Sequence, residues 1–305
     1  MSTVARESLD SFLYDESLMG VVEERMAALI HYIPSGSEEI IEGPSGPTRA
    51  ASYHLSSGGR RVRARLALSA GTALGLPPED LVAIASCVEL IHNASLVHDD
   101  LQDREGSRRG VKTVHMAYGD DVALCTGDLL LSSSFAALAR FTDTSLLPQL
   151  FGLVHSRIAM VIGGQCARLD PTGDVVRDMD AYESIAATKS GALLSLPLEL
   201  ALTGSAKGMW SADARVAANH FAIGYQIADD LEDVEQDRGS LSVNALLVLT
   251  SAIGCTEPES ALRARQYALD HLSKSIGFAR SLPNRSGALL RELAVDLSHR
   301  LEGSH

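Results

Sequence analysis

The chain lacks most of the features that announce a function on their own. Its four cysteines, Cys87, Cys125, Cys166 and Cys255, lie far apart. With no C-x-x-C pair to suggest zinc or a redox dithiol, they read as small apolar core residues of a reducing compartment. Basic residues are in deficit: 26 Lys and Arg stand against 39 Asp and Glu, a formal net charge of −13. Such a balance offers no basic face to a nucleic acid backbone. An anionic ligand must be held by a local basic cluster or through metal. No uninterrupted apolar run reaches the roughly 18 residues of a membrane span. Residues 1–20 have neither the basic leader nor the apolar core of a signal peptide. A cytoplasmic protein without a membrane span is the expectation. Runs of alternating β-branched residues are missing as well, which argues against a sheet.

What remains is helical. Stretches rich in Ala, Leu, Ile and Val alternate with short Gly, Pro or Ser interruptions, and with 46% hydrophobic and 21% charged residues the 305-residue chain suits a globular all-α fold. Helices are expected over about Leu18–Ile33, Arg63–Leu74, Pro78–His98, Ala117–Phe141, Leu147–Leu169, Ala181–Thr203 and Ala212–Val234, with two more after Glu257. Leu81–His98 and Val216–Val234 are apolar nearly all round, as in helices surrounded by others. Pro34–Ser45 is the one linker-like stretch, short enough to join helices of a single domain spanning 1–305.

Both of these apolar helices close in acid. Asp99-Asp100-Leu101-Gln102-Asp103 and Asp229-Asp230-Leu231-Glu232-Asp233 share the pattern D-D-L-x-D. Residues four apart share a helix face, so Asp99 aligns with Asp103 and Asp229 with Asp233. Carboxylates stacked at the negative end of a helix repel one another and call for something positive. Oxygen-only ligands with room for water and phosphate suit Mg²⁺. One such cluster reads as a solvated helix end; two nearly identical ones point to function. Basic residues complete the pattern. Gly58-Gly59-Arg60-Arg61-Val62-Arg63 sets guanidinium groups beside a glycine pair where backbone can approach a ligand, and Arg108-Arg109-Gly110 follows the first cluster.

In this order, G-G-[KR]-x-x-R, D-D-x-x-D, R-R-G, a lone lysine and Q-x-x-D-D-x-x-D, the chain resembles the trans-isoprenyl diphosphate synthases from about residue 58 to 234. The resemblance implies a helical bundle of the isoprenoid synthase type with a central cavity, whose two acidic clusters face one another and share about three Mg²⁺ ions. It also implies two substrates, isopentenyl diphosphate and an allylic diphosphate, and a homodimer. Carried over by position, Arg60, Arg63, His92 and Arg109 would hold the diphosphate of isopentenyl diphosphate. Arg108 and Lys189, with the adjacent Ser190, would bind the allylic diphosphate, and Gln226 would lie beside its reacting end. Asp99, Asp103 and Asp229 would be direct metal ligands, with Asp100, Asp230 and Asp233 ordering water and supporting bonds. Lys189, His92, His98, His115 and Gln165 have plainer readings too, as an exposed lysine, ordinary partly buried histidines and a helix-contact glutamine.

The reaction so implied ionises the allylic diphosphate and needs a dry apolar chamber for the cation. One turn back from Asp99, Ala94 and Ser95 are small, leaving ~5.4 Å for growth of the product tail; relatives with small residues here tend to make longer products, so the resemblance implies C20 or longer over C15. The chain departs from the family after the second cluster. A lysine-rich glycine loop is expected there, but Val234–Asn244 carries Arg238 as its only cation. That loss keeps two other readings open, a non-catalytic partner subunit and coupling to an unusual acceptor; a class I terpene cyclase, which would share the all-α fold and an aspartate-rich metal site, is a third.

Overall fold

The computed structural model describes residues 3–31, 46–167, 179–232, 244–253 and 256–303. They form two compact units, Met1–Phe151 and Gly152–His305.

The first unit is built around one central helix. Its elements are α1 (Thr3–Ile30), α2 (Gly46–Ser56), α3 (Val62–Leu74), α4 (Pro78–Gln102), a hairpin of β1 (Ser107–Arg108) and β2 (Val111–Lys112), α5 (Val114–Tyr118), α6 (Asp120–Leu138) and the start of α7 (Leu147–Ala167). α4 packs against α1, α3 and α6. It opens with proline in its first turn beside Glu79 and Asp80, where fixed φ and negative charge both favour a helix start. The Asp80 carboxylate ties down the connection between α6 and α7, accepting from the Thr142 N–H at 2.7 Å and its hydroxyl at 2.9 Å. From Asp80 to Ile91 every residue of α4 is buried, as the all-round apolar pattern predicts.

The second unit holds the rest of α7, then α8 (Met179–Ala186), a π-helical turn (Ala187–Gly191), α9 (Ala192–Gly204), α10 (Ser211–Glu232), α11 (Ala245–Ile253), α12 (Glu257–Ser281) and α13 (Ala288–Gly303). α9 is buried along Ala192–Thr203 despite Pro197 in its interior. α10 packs against α9 and α12. Thr256 and Glu259 start α12 with reciprocal capping bonds.

The chain is all-α, as expected, with small departures. α1 begins well before Leu18, and α2 and α11 are additional helices. The expected Ala117–Phe141 helix is broken at Gly119, whose φ of 90° no continuing helix allows. The R-R-G turn forms the two-residue hairpin, with Arg109 at φ 52° and Gly110 at φ 79°, the backbone of a type I′ turn. Pro34–Ser45, Asp233 with the loop to Val243, and Cys255 lie outside the described residues. Cys87 is buried, but Cys125 and Cys166 are exposed, so the cysteines are not uniformly core residues. Among the described residues, four helical stretches are long and apolar enough to cross a membrane, a length that a search for uninterrupted apolar runs overlooks. In 78–102 and 179–204 most of the apolar window is buried inside the protein; in 144–166 only 17% is.

Candidate active site

In the first unit the end of α4 sorts its three aspartates. The Asp103 N–H donates to the Asp99 carbonyl at 2.8 Å, so the two residues lie one helical turn apart on a common face. Asp100 points the other way and is buried. Its carboxylate is gripped by Arg108, with Nε at 2.9 Å and 3.0 Å from its two oxygens and Nη2 at 2.5 Å from Oδ1. Burial of the carboxylate strengthens that pair, and Asp100 raises the Arg108 pKa further above its ordinary value. Asp100 thus anchors the hairpin to the helix, while Asp103 is exposed and Asp99 half-buried.

The hairpin aims its second arginine at the glycine pair. Arg109 Nη1 donates to the Gly58 carbonyl. A Cβ at Gly59, whose φ is 129°, would stand 2.6 Å from the Arg109 guanidinium carbon. Only glycine leaves room for that approach. Burial, then the neighbouring Arg61 and Arg108, lower the Arg109 pKa.

The three arginines of the G-G-R-R-V-R segment part company. Arg60 is exposed and Arg63 half-buried, whereas Arg61 turns inward in a left-handed conformation, φ 49° and ψ 36°. Its Nη2 donates to Leu55 O at 2.9 Å and its Nε to Glu23 Oε1 at 3.3 Å. Arg61 is a tie between elements. His92 is held neutral: burial lowers its pKa well below the ordinary value, and Arg63, Arg109 and Arg108 lower it further. Next to it, buried His54 is pushed down to about 4, chiefly by desolvation. His98 and His115 take the plainer reading, contacting Leu124 O at 3.3 Å and Glu105 O at 2.9 Å respectively.

In the second unit the end of α10 repeats the arrangement. Asp229 is exposed and Asp230 buried. The Asp230 carboxylate accepts from the Tyr182 hydroxyl at 2.7 Å, from Gln226 Nε2 at 2.9 Å and from the Ala245 N–H at 2.7 Å. Its carbonyl accepts from Asn244 Nδ2 at 2.8 Å. Asp230 therefore fixes the Gln226 amide and starts α11. Lys189 and Ser190 sit in the π-helical turn between α8 and α9. Wide turns of this kind cluster at functional sites, where they re-aim side chains. Glycines make space around it: a Cβ on Gly164 would meet Thr188 at 3.1 Å, and one on Gly191 would run into Asn219. Gln165 is buried in α7.

Sequence reasoning missed Tyr182, the link between α8 and Asp230, and the buried polar residues Glu89, Asn93 and His54 behind Arg61. The signal was present for the second group: Glu89 and Asn93 are polar residues four apart inside an otherwise apolar helix.

The donor chemistry fits Mg²⁺. Among the described residues no three His, Cys, Asp or Glu side chains converge as a ready-made cage. Asp99 with Asp103 offers a carboxylate pair on one helix face, the donor set of an ion that takes one or two carboxylates and completes its shell with water and phosphate oxygens.

Helical architecture and paired acid-ended helices define the class, the all-α isoprenoid synthase fold. Solved structures that share it include geranylgeranyl pyrophosphate synthetases from Pyrococcus horikoshii (TM-score 0.79, 23% identity, 96% of this chain and 99% of that one) and from the archaeon Geoglobus acetivorans (0.78, 23%, 93% and 99%). A model of the polyprenyl synthetase family matches residues 47–244. Among curated relatives, the farnesyl diphosphate synthase of Geobacillus stearothermophilus is 32% identical over 241 residues, covering 76% of this chain and 77% of its own. The chloroplastic geranylgeranyl pyrophosphate synthase of Capsicum annuum is 34% identical over 215 residues, covering 68% and 58%. The chain belongs to the polyprenyl synthetase family and is a trans-prenyltransferase.

Proposed function

We propose that this protein condenses isopentenyl diphosphate with an allylic diphosphate to give a linear all-trans isoprenyl diphosphate, with C20 or longer favoured over C15. The observation that carries the reading is the division of labour at both acidic helix ends. The second aspartate of each pair, Asp100 or Asp230, is buried and spent on protein partners, while Asp99, Asp103 and Asp229 stay on the more accessible side. Asp99, Asp103 and Asp229 would hold about three Mg²⁺ ions, with Asp100, Asp230 and Asp233 in support. Bound there, Mg²⁺ supplies charge stabilisation to the departing diphosphate.

The chain's own groups do the rest. Arg60, Arg63 and Arg109, beside neutral His92, grip the diphosphate of isopentenyl diphosphate with guanidinium forks. Arg108, Lys189 and Ser190 bind the allylic diphosphate, and Gln226, oriented by Asp230, lies at its reacting end. Apolar walls exclude water from the cation until the double bond attacks.

Relatives bear both farnesyl and geranylgeranyl names; the C20 preference rests on small Ala94 and Ser95. We further propose that residues 1–305 act as one catalytic domain in a cytoplasmic homodimer without a membrane span, the exposed apolar side of α7 being covered by a second copy. The test is incubation of the purified chain with Mg²⁺, isopentenyl diphosphate and dimethylallyl, geranyl or farnesyl diphosphate in turn, with products identified by mass. Elongated products that vanish in Asp99→Ala support the reading. A cyclised hydrocarbon or alcohol would replace it with a cyclase, and a folded chain inert towards every primer would replace it with a partner subunit.

A further inference from the structure

Helix α3 begins on an unfavourable residue. Its cap position is Arg61, which offers no side-chain acceptor to the first-turn amides. The acceptor comes from another helix. Glu89, in the middle of α4 and 2% exposed, takes the Ala64 N–H on Oε2 at 3.3 Å. Ala64 is the third residue of α3, where a capping side chain would ordinarily bond. Glu89 Oε1 stands 3.5 Å from Arg61 Nη1 and accepts from Asn93 Nδ2 at 3.3 Å. Asn93 in turn is oriented by the buried His54, whose Nε2 lies 3.1 Å from Asn93 Oδ1.

A carboxylate buried this deeply is costly unless compensated. Here an arginine, two N–H donors and the positive end of α3 compensate it together. The arrangement fixes the start of α3 and the backbone on either side of Arg61 against α4. That backbone carries Arg60 and Arg63.

We infer that Glu89 is a positioning residue for the isopentenyl diphosphate site: it caps α3 from α4 and thereby sets the places of Arg60 and Arg63. The inference rests on the proposed role of those two arginines. Glu89→Gln tests it with little change of shape. Either orientation of the new amide sets an N–H group against a donor, Ala64 N–H on one side or Arg61 and Asn93 on the other.

Steady-state kinetics and equilibrium binding of isopentenyl diphosphate should be measured for the parent and for E89Q. The expected result is a rise of about tenfold or more in KM for isopentenyl diphosphate, the scale of one lost charge-assisted bond. The allylic KM and kcat should stay within about twofold. Glu199→Gln serves as control, since Glu199 is also buried and paired with an arginine, Arg157 Nε and Nη2 at 2.8 Å and 2.6 Å. It should lower Tm without this split. An unchanged KM in E89Q, or both KM values rising together, overturns the proposal.

If E89Q does not fold, Arg61→Lys, which keeps the charge but loses the fork to Leu55 and Glu23, carries the same expectation and the same overturning result. A parent that binds isopentenyl diphosphate without turning it over refutes the condensation reading alone; Glu89 is then judged by the tenfold criterion on binding. A parent that does not bind it refutes both.

Discussion

At the scale of single residues, the structure distinguishes aspartates that the repeated motif makes look equivalent. Asp99→Ala removes a proposed metal ligand and leaves the Asp100–Arg108 bonds in place, so elongation should fall by about 10²–10³-fold or more in a chain that still folds, checked by product formation and circular dichroism. Asp230→Asn should behave oppositely. It weakens the bonds to Tyr182, Gln226 and the first turn of α11, and should lower Tm before any kinetic effect is considered. Two histidines, one buried and one half-buried, set a pH limit. His54 has a folded pKa of about 4 against 6.5, and His220, 2.9 Å from His271, is likewise pushed down to about 4 by desolvation and then by His271. Depressed histidine pKa values mean that the unfolded chain binds more protons between these limits. Their stabilising contribution is therefore complete above about pH 6.5 and lost on acidification towards 4. Tm measured from pH 7.5 to 4.5 should fall, and His54→Asn should flatten the fall.

At the scale of elements, the glycines at bends and contacts are specific demands. A Cβ at Gly127 of α6 would strike the His98 ring, next to Asp99 on α4. Gly127→Ala should cost about 1–3 kcal/mol in denaturant unfolding and disturb the first acidic cluster, lowering kcat. The long helices were legible in the sequence because α4 and α9 bury nearly everything they carry, and sustained apolar runs have no other economical reading. α2 was not. Its polar sequence, GPTRAASYHLS, is too short to hold a helix alone and depends on packing against α6. α11, ALLVLTSAI, is an apolar run whose periodicity cannot separate helix from strand. Of the site, the motif spacing revealed which carboxylates share a face. It could not reveal Tyr182 on Asp230, a contact between residues far apart in the chain, nor the inward turn of Arg61, since three adjacent arginines carry no mark of which will be buried.

At the scale of the whole molecule, the apolar helix α7 is the surface that calls for a partner. With 17% of its apolar window buried and Ile162 56% exposed, it shows more hydrocarbon than a lone soluble chain usually tolerates. If a second copy covers it, light scattering should give twice the 32.4 kDa chain mass, and Ile162→Glu should shift the protein towards monomer. The first unit holds a subtler consequence. The opening amides of a helix ordinarily fray and exchange their hydrogens with solvent within moments, because nothing inside the helix holds them. The Ala64 amide is held by α4, so it can swap its proton for deuterium only when the two helices part. Its exchange rate is a built-in gauge of how often α3 lets go of α4, readable at one atom in the native protein with no label attached.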